Sequence, residues 1–494
     1  MKGSRSLPVR LPPKKLPMPF NSALYLASLL VVVLLYWLLP PSYRRTFVLM
    51  ASLAFYASWG VVFVVVPLAM AGVVYVFSRL IVADSVGAKR WTWIGVSCAM
   101  VLLIVFKYRS FALFNLSFLA AHLGLHTRST VEMIAFPMGI SFYTFEAIGY
   151  LIDVRQGRVT MPKFLDLCLF FMFWPNILSG PIVRARELVP QLNFRRAFEP
   201  RFMFEGFDRV IWGLVQKNVV ANLLGIWVDK GFSPAVTASP STLDGWFLAV
   251  AFGLQIYFDF AGYTNMALGA ARLLGVTLPE NFHQPYHAAT PPEFWGRWHM
   301  TLSRWIRDYL FFPINAKWKG APLPLYLSLV GVMALVGLWH GAGWNFVLWG
   351  FLHGTYLVLF RMYESAKAVR PALGASRLAG GIWRLLTLIA VTAAWVPFRA
   401  ATLQKAGSIL ASMFYRFHAG NAYGPVFYLF TAAVVLFCAM EPLLMKALND
   451  IEDRAGANGP SPFRILGRPI LYTCGLFLFF LFDENSAQFI YSQF

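Results

Sequence analysis

Apolar residues in this chain come in long unbroken runs separated by short polar turns, not in the alternation of a half-buried strand. The runs lie near 23–39, 46–60, 61–82, 91–107, 137–153, 164–182, 209–228, 244–272, 322–336, 345–361, 380–397, 425–445 and 467–482. Several hold almost no charge over about 18 residues, the length at which a helix crosses a hydrocarbon core of roughly 30 Å. Counting half-spanning pieces, the pattern predicts about eleven to thirteen membrane helices. Alternating segments of about ten residues are absent, which argues against an outer-membrane barrel. The expected fold is therefore an all-α polytopic membrane protein.

Composition agrees: 58% of residues are hydrophobic, 17% aromatic and only 13% charged, with a mean hydropathy of +0.60. A soluble domain carries about 25% charged residues. The net charge of +20 would suggest nucleic acid in a soluble protein. Here the cations gather in short loops between apolar runs, where they act as topology signals and lipid-phosphate contacts, so no nucleic-acid partner is expected. Residues 1–17, MKGSRSLPVRLPPKKLP, are basic and proline-rich and read as a disordered tail. Cys98, Cys168, Cys438 and Cys474 stand far apart in apolar runs and read as buried, reduced packing residues.

Two long polar connections interrupt the runs. Arg184–Arg209 is the denser in cations, and reads as a cytoplasmic, membrane-surface helical segment or as a solvated basic loop. Pro279–Leu310 is too polar to cross lipid alone and too aromatic for a free loop. Thr290 as N-cap, Pro291 in the first turn and Glu293 completing a capping box predict a helix start. Trp295, His299 and Ser303 then recur at i, i+4 and would share one face, stable at membrane depth only against a buried cavity or as a re-entrant piece.

The stretch Gly337–Gly354, GLWHGAGWNFVLWGFLHG, places His340, Asn345 and His353 inside an otherwise apolar run. Polar side chains are costly to bury there. A neutral imidazole at His340, flanked by Trp339 and Gly341, has the setting of a general base, and equally that of a core histidine bonded to a neighbouring carbonyl. His353 and His287 are secondary candidates, expected to be structural, and the His283/His287 spacing is a poor metal pair with Pro285 between. No metal is expected. Without a GxSxG, P-loop or HExxH motif, a serine hydrolase, a nucleoside triphosphatase and a zinc protease are disfavoured.

The pairing of PPEFWGRWHMTLSRWIRDYLFFPI (291–314) with GLWHGAGWNFVLWGFLHG (337–354) resembles the membrane-bound O-acyltransferases, and among them the bacterial exopolysaccharide O-acetylation branch. Further matching stretches are MPFNSALYLASLL at 18–30, PMGISFYTFEAIGYLIDV at 137–154, GPIVR at 180–184, GLVQKNVVAN at 213–222, LQIYFDFAGYTNMALGAARLLG at 254–275 and the terminal FIYSQF. The chain departs from that branch at His283, Asn265, Gly296 and Glu146, where Asn, Asp, Arg and Gln would be expected, and at Asn315, which opens the replacement of a glycine-rich turn. The resemblance implies that residues 18–494 form one transmembrane acyltransferase domain with helices around a central funnel or tunnel, with Met18 a candidate start. It also implies that His340 is the catalytic histidine and His299 the second active-site residue.

Moving an acyl group from a thioester to a hydroxyl needs a base, donors for the oxyanion and exclusion of water. His340 supplies the first. Trp339, Trp344, Asn345 and His299 are candidate donors, and Trp295, Trp298 and Ser303 candidate lining residues. Asp259 could orient an imidazole, or pair with Arg272 or Arg297, the pairing being expected. The resemblance further implies a multi-pass protein of the bacterial inner membrane with no tightly bound cofactor. Acetyl-coenzyme A or another acyl thioester is the expected donor on the cytoplasmic side. The expected partners are extracytoplasmic acetyltransferase proteins that acetylate an alginate- or cellulose-type exopolysaccharide, and membrane lipid. The alternatives are a peptidoglycan or teichoic-acid acyl or D-alanyl transferase and, from another class, a proton-coupled transporter, which should show pseudo-repeated halves that this sequence lacks.

Overall fold

The computed structural model describes residues 18–125, 137–161, 163–177, 180–233, 240–316, 321–369, 377–415, 422–456 and 467–482, so the basic tail 1–17 and the terminal FIYSQF lie outside the described residues. Within them every regular element is helical. The first helices are α1 (Ala23–Leu38), α2 (Pro41–Ala57), α3 (Val61–Ala83), α4 (Ala88–Leu103), α5 (Arg109–His122) and α6 (Ile140–Arg155). Next come α7 (Pro200–Leu214), α8 (Asn222–Phe232), α9 (Thr242–Leu273) and the short α10 (Pro291–Arg297) and α11 (Met300–Ile306). Last are α12 (Pro322–His340), α13 (Trp344–Val369), α14 (Arg377–Arg399), α15 (Leu403–Tyr415), α16 (Pro425–Gly456) and α17 (Arg468–Phe482). Among the described residues, 7 helices are long and apolar enough to cross a bilayer, and α1 and α17 are shorter apolar helices. The wider expectation from the apolar runs includes pieces of this shorter kind.

The centre is α9, whose N-cap Ser241 accepts a hydrogen bond from the Asp244 N–H. Its most apolar window is 83% buried, against 17% for the span made by α4 and α5, so α9 is covered by protein whereas α4–α5 turns most of its apolar surface outward. Small residues let its backbone touch α7, as in other membrane helix pairs. A Cβ added at Gly269 would stand 2.6 Å from the Gly206 carbonyl oxygen. Glu146 on α6 is buried and accepts from Asn176 Nδ2 at 2.9 Å and the Val183 N–H at 3.2 Å, which ties both residues to the core.

The helices are interrupted by π turns at Ile104–Tyr108, Val215–Ala221 and Arg307–Phe311. The second joins α7 to α8 and carries Lys217, which forms a buried ion pair with Asp259 of α9. The expected pairing of Asp259 with Arg272 or Arg297 is not found: its partner is Lys217. Arg272 pairs with Glu205 and Arg297 with Glu293, four residues back on α10. Cys168 and Cys438 are buried as expected, whereas Cys98 is half-buried and Cys474 exposed, a thiol being cheap to leave on an apolar outer surface. The Arg184–Arg209 connection is not a continuous surface helix: its middle, 195–198, is exposed as a solvated basic loop would be, while its first part is anchored. It opens with the single turn Ala185–Leu188, buries Leu188, Leu192 and Phe194, and then runs extended to α7. Arg196 Nη1 donates to the Gly275 carbonyl at 3.0 Å and Arg44 Nη1 to the Arg196 carbonyl at 3.0 Å, so cations hold it against its neighbours.

Candidate functional site

His340 is the last residue of α12, capped by Gly341 in extended backbone before a tight turn into α13. Glycines on both arms let the two helices close on each other. A Cβ at Gly337 would collide with the Phe346 carbonyl and one at Gly350 with the Met333 carbonyl. That close approach buries the imidazole, which is 2% exposed. Its ring centroid lies 4.9 Å from Trp339, 5.0 Å from Trp349 and 5.5 Å from Phe398, all edge to face. Aromatic walls on these sides exclude water, as a thioester-handling site needs.

His299 does not continue the helix that its spacing predicts. The capped start is as expected, with Thr290 accepting from the Glu293 N–H at 3.3 Å, while the Glu293 carboxylate reaches the Ala289 N–H at 2.7 Å. The helix stops at Arg297, and His299 takes a left-handed conformation, φ 41, before α11 begins. Trp295, His299 and Ser303 consequently do not share one helix face. The kink is fixed by pairing with the preceding strand-like segment: the His283 N–H donates to the Arg297 carbonyl at 2.9 Å and the Met300 N–H to the Asn281 carbonyl at 2.9 Å.

Asn281 also sets the tautomer of His299, which is 0% exposed. The Ile182 N–H donates to Thr301 Oγ1 at 3.0 Å, and Thr301 lies with its N–H at 3.3 Å and its hydroxyl at 2.8 Å from Asn281 Oδ1. A backbone N–H can only donate, so that amide atom is the oxygen, and His299 Nδ1, at 3.0 Å from it, is the protonated nitrogen. His299 Nε2 therefore presents its lone pair, and neither it nor Asn281 Nδ2 has a hydrogen-bond partner among the described residues. Buried polar atoms are rarely left so, and here both belong to a residue pair beside Trp339, whose indole centroid is 6.3 Å from His299 and 4.9 Å from His340. Trp339 Nε1 is likewise buried without a partner.

The other candidates divide. Trp298 is fully buried against Phe294 at 5.7 Å and Trp395 at 4.9 Å, a packing residue behind His299. Trp295 and Ser303 line an apolar-walled cavity of about 140 Å³ with Leu302, Met333 and Val336, one turn before His340. Trp344 is 56% exposed and donates from Nε1 to Asn115 Oδ1 at 3.0 Å, pointing away from the histidines. Asn345 Nδ2 donates to the Pro397 carbonyl at 3.3 Å and the Ala400 carbonyl at 3.0 Å, fastening the end of α14, so neither of these two is an oxyanion donor. His353 is buried on Trp349 at 4.8 Å, and His287 Nε2 is bonded to the Cys438 carbonyl at 2.7 Å. Sequence reasoning missed Asn281, Lys217 and Lys107. The one available signal was the two lysines, each a cation inside an apolar run.

The sequence model of the membrane-bound O-acyltransferase family matches residues 98–396, which include both histidines and their walls up to Trp395. A relative from Azotobacter vinelandii named probable alginate O-acetylase AlgI is 36% identical over 80% of this chain and 78% of its own. Its namesake from Pseudomonas aeruginosa is 36% identical over 80% of this chain and 75% of its own. The peptidoglycan O-acetyltransferase of Helicobacter pylori is 33% identical over 80% of this chain and 79% of its own.

Proposed function

The chain belongs to the membrane-bound O-acyltransferase family, is a multi-pass acyltransferase, and from that premise we propose that it carries acetyl groups across the bacterial inner membrane for O-acetylation of a secreted exopolysaccharide. The donor in this reading is acetyl-coenzyme A or another acyl thioester on the cytoplasmic side. The hydroxyl that receives the acetyl group here belongs to an intermediate acceptor, from which partner acetyltransferases outside pass the acetyl group on to the polymer. The alginate-directed names of the similar proteins support an alginate-type acceptor. The peptidoglycan enzyme favours a second reading in which the hydroxyl belongs to cell-wall glycan.

The observation that carries the mechanism is the pair of buried histidines on one indole, His299 with a bare Nε2 and His340 among aromatic walls. His340 takes the proton of the attacking hydroxyl as its oxygen adds to the thioester carbonyl. The oxyanion meets the N–H of Trp339 and the amide of Asn281. The C–S bond then breaks, the ester C–O bond remains, and the imidazolium returns the proton to the departing thiolate. His299 Nε2 accepts a hydrogen bond that orients the acceptor. A base of this kind contributes about 10²- to 10⁴-fold.

The test replaces His340 by Ala and by Gln and measures alkali-labile acetate in secreted polymer and in cell-wall glycan, per amount of folded membrane protein. Glutamine keeps size and a donor but cannot exchange a proton near neutral pH. Both variants should accumulate and both should leave one polymer unacetylated, and which polymer it is separates the two acceptors. Near-wild-type acetate from His340→Gln would sink the catalytic assignment.

A further inference from the structure

We propose that the membrane helix Ile104–His122 is a clamp for the turn that carries His340, with Lys107 as its principal positioning residue. The proposal rests on His340 being the base, and adds what sets its place. A helix end leaves its last carbonyls without partners, and at membrane depth water is not there to satisfy them. The helix α12 ends at His340 and Gly341, and the His340 end is buried away from water. Three of its closing carbonyls are taken by two consecutive residues of the neighbouring π turn Ile104–Tyr108. Tyr108 Oη donates to the Leu338 carbonyl at 3.1 Å, and Lys107 Nζ to the Trp339 carbonyl at 2.6 Å and the His340 carbonyl at 3.2 Å.

The third Lys107 contact, at 3.3 Å, is to Ser141 Oγ at the start of α6. An ammonium has three protons and no lone pair. Three contacts match that count, and Lys107 caps the end of α12. Its positive charge also faces the negative end of the α12 dipole. Further along the same helix, Asn115 Oδ1 accepts from Trp344 Nε1 at 3.0 Å, while Asn115 Nδ2 donates to the Phe111 carbonyl at 2.7 Å, which fixes its rotamer. The clamp thus grips 338–344 on both sides of the histidine.

Lys107 is the one charged residue between Arg90 and Arg109. A lysine at the middle of a membrane helix costs about 2.5–3.5 kcal/mol on insertion scales, so its presence needs a return. The position it secures supplies one. Ser141 joins it to α6, whose Phe142 and Phe145 lie 5.7 Å and 5.0 Å from Trp339. A displacement of the α12 terminus would therefore move His340 relative to Trp339 and His299 together. Misplacing a catalytic group by about 1 Å can cost about 10²-fold in rate.

The experiment compares Lys107→Met, Lys107→Arg, Tyr108→Phe and His340→Ala in cells lacking the native chain. Alkali-labile acetate of the secreted and cell-wall polymers is measured per folded protein, with folded protein counted by fluorescence-detected size exclusion. Lys107→Met should lose about 10- to 100-fold of the acetate per folded molecule. Lys107→Arg, which keeps charge and donors, should recover most of it, and Tyr108→Phe should fall between. A purely structural lysine would lower the amount of folded protein and leave acetate per molecule unchanged. That result, or a wild-type value for Lys107→Met, overturns the clamp. If Lys107→Met does not accumulate, Tyr108→Phe, which loses one hydroxyl, decides in the same way. His340→Ala keeps the two failures apart: normal acetate there sinks the proposed function, while its loss alongside normal Lys107→Met and Tyr108→Phe sinks only the clamp.

Discussion

A histidine held at φ 41 is an expense the chain could have avoided with glycine, since a non-glycine residue in sparsely populated backbone costs about 1–3 kcal/mol. The strain is sustained by the Asn281 side chain, by the Met300 N–H on the Asn281 carbonyl and by burial of the ring. This separates fold from chemistry in one position. His299→Gly should accumulate at least as well as His299→Ala, because glycine enters the left-handed region without the Cβ penalty of about 1–2 kcal/mol. Both should lose acetyl transfer. Thermal unfolding in detergent checks the order of stability, and polymer acetate checks the loss; full acetate in His299→Gly would make the residue a packing element. Asn281→Leu should act through the same histidine. It removes the acceptor that holds Nδ1–H and strands the Thr301 N–H, so transfer should fall about tenfold or more with a stability loss of about 1–3 kcal/mol. If Asn281→Leu keeps wild-type transfer in folded protein, the tautomer argument fails.

At the scale of elements, the buried pair of Lys217 on the π turn and Asp259 on α9 joins the two most covered of the candidate spans. Removing one partner leaves a buried charge and costs about 3–5 kcal/mol, whereas replacing both by apolar groups is often neutral. Lys217→Met alone and Asp259→Leu alone should therefore sharply reduce folded protein, and the double variant should recover it with acetyl transfer intact. Recovery of fold without transfer would place Asp259 in the chemistry after all. The same pair shows what was legible beforehand. Most of the apolar runs located helices because hydrophobicity is written locally, although α5 and α15 lie outside every run, and Thr290 and Glu293 located the start of α10 because a cap lies within one turn. The partner of Asp259 was illegible because Lys217 sits on another helix, where no spacing rule reaches. The shared face of Trp295, His299 and Ser303 failed for a related reason: periodicity assumes a continuous helix, and the break at His299 is imposed by Asn281, a contact from outside the segment. Trp344 and Asn345 are polar-tipped residues in the right stretch, but the tight turn after Gly341 turns them toward Asn115 and the end of α14 instead of the histidines.

Across the whole molecule, contacts tie several cationic connections to one another. Arg44 reaches the Arg196 carbonyl, Arg184 pairs with Asp308, Tyr309 donates to Asp153 at 2.8 Å, and Arg304 Nη2 donates to the Glu280 carbonyl at 3.3 Å. The turns near 39–44, 153–158, 184–209, 275–280 and 304–308 are thereby tied together although they are far apart in sequence. Short loops rich in Lys and Arg stay on the cytoplasmic side, so one decisive loop orients all of them. Arg184–Arg209 is that loop, and Ala197 is an exposed site within it. In a background with Cys474 replaced by Ser, Ala197→Cys should resist an impermeant thiol reagent in intact cells and react once the membrane is opened. The donor thioester would then approach from the face that carries the exposed Arg186 and Arg195, which complements the phosphates of a coenzyme or the acidic surface of a carrier protein. Labelling of Ala197→Cys in intact cells would reverse the orientation and, with it, the direction in which the acetyl group travels.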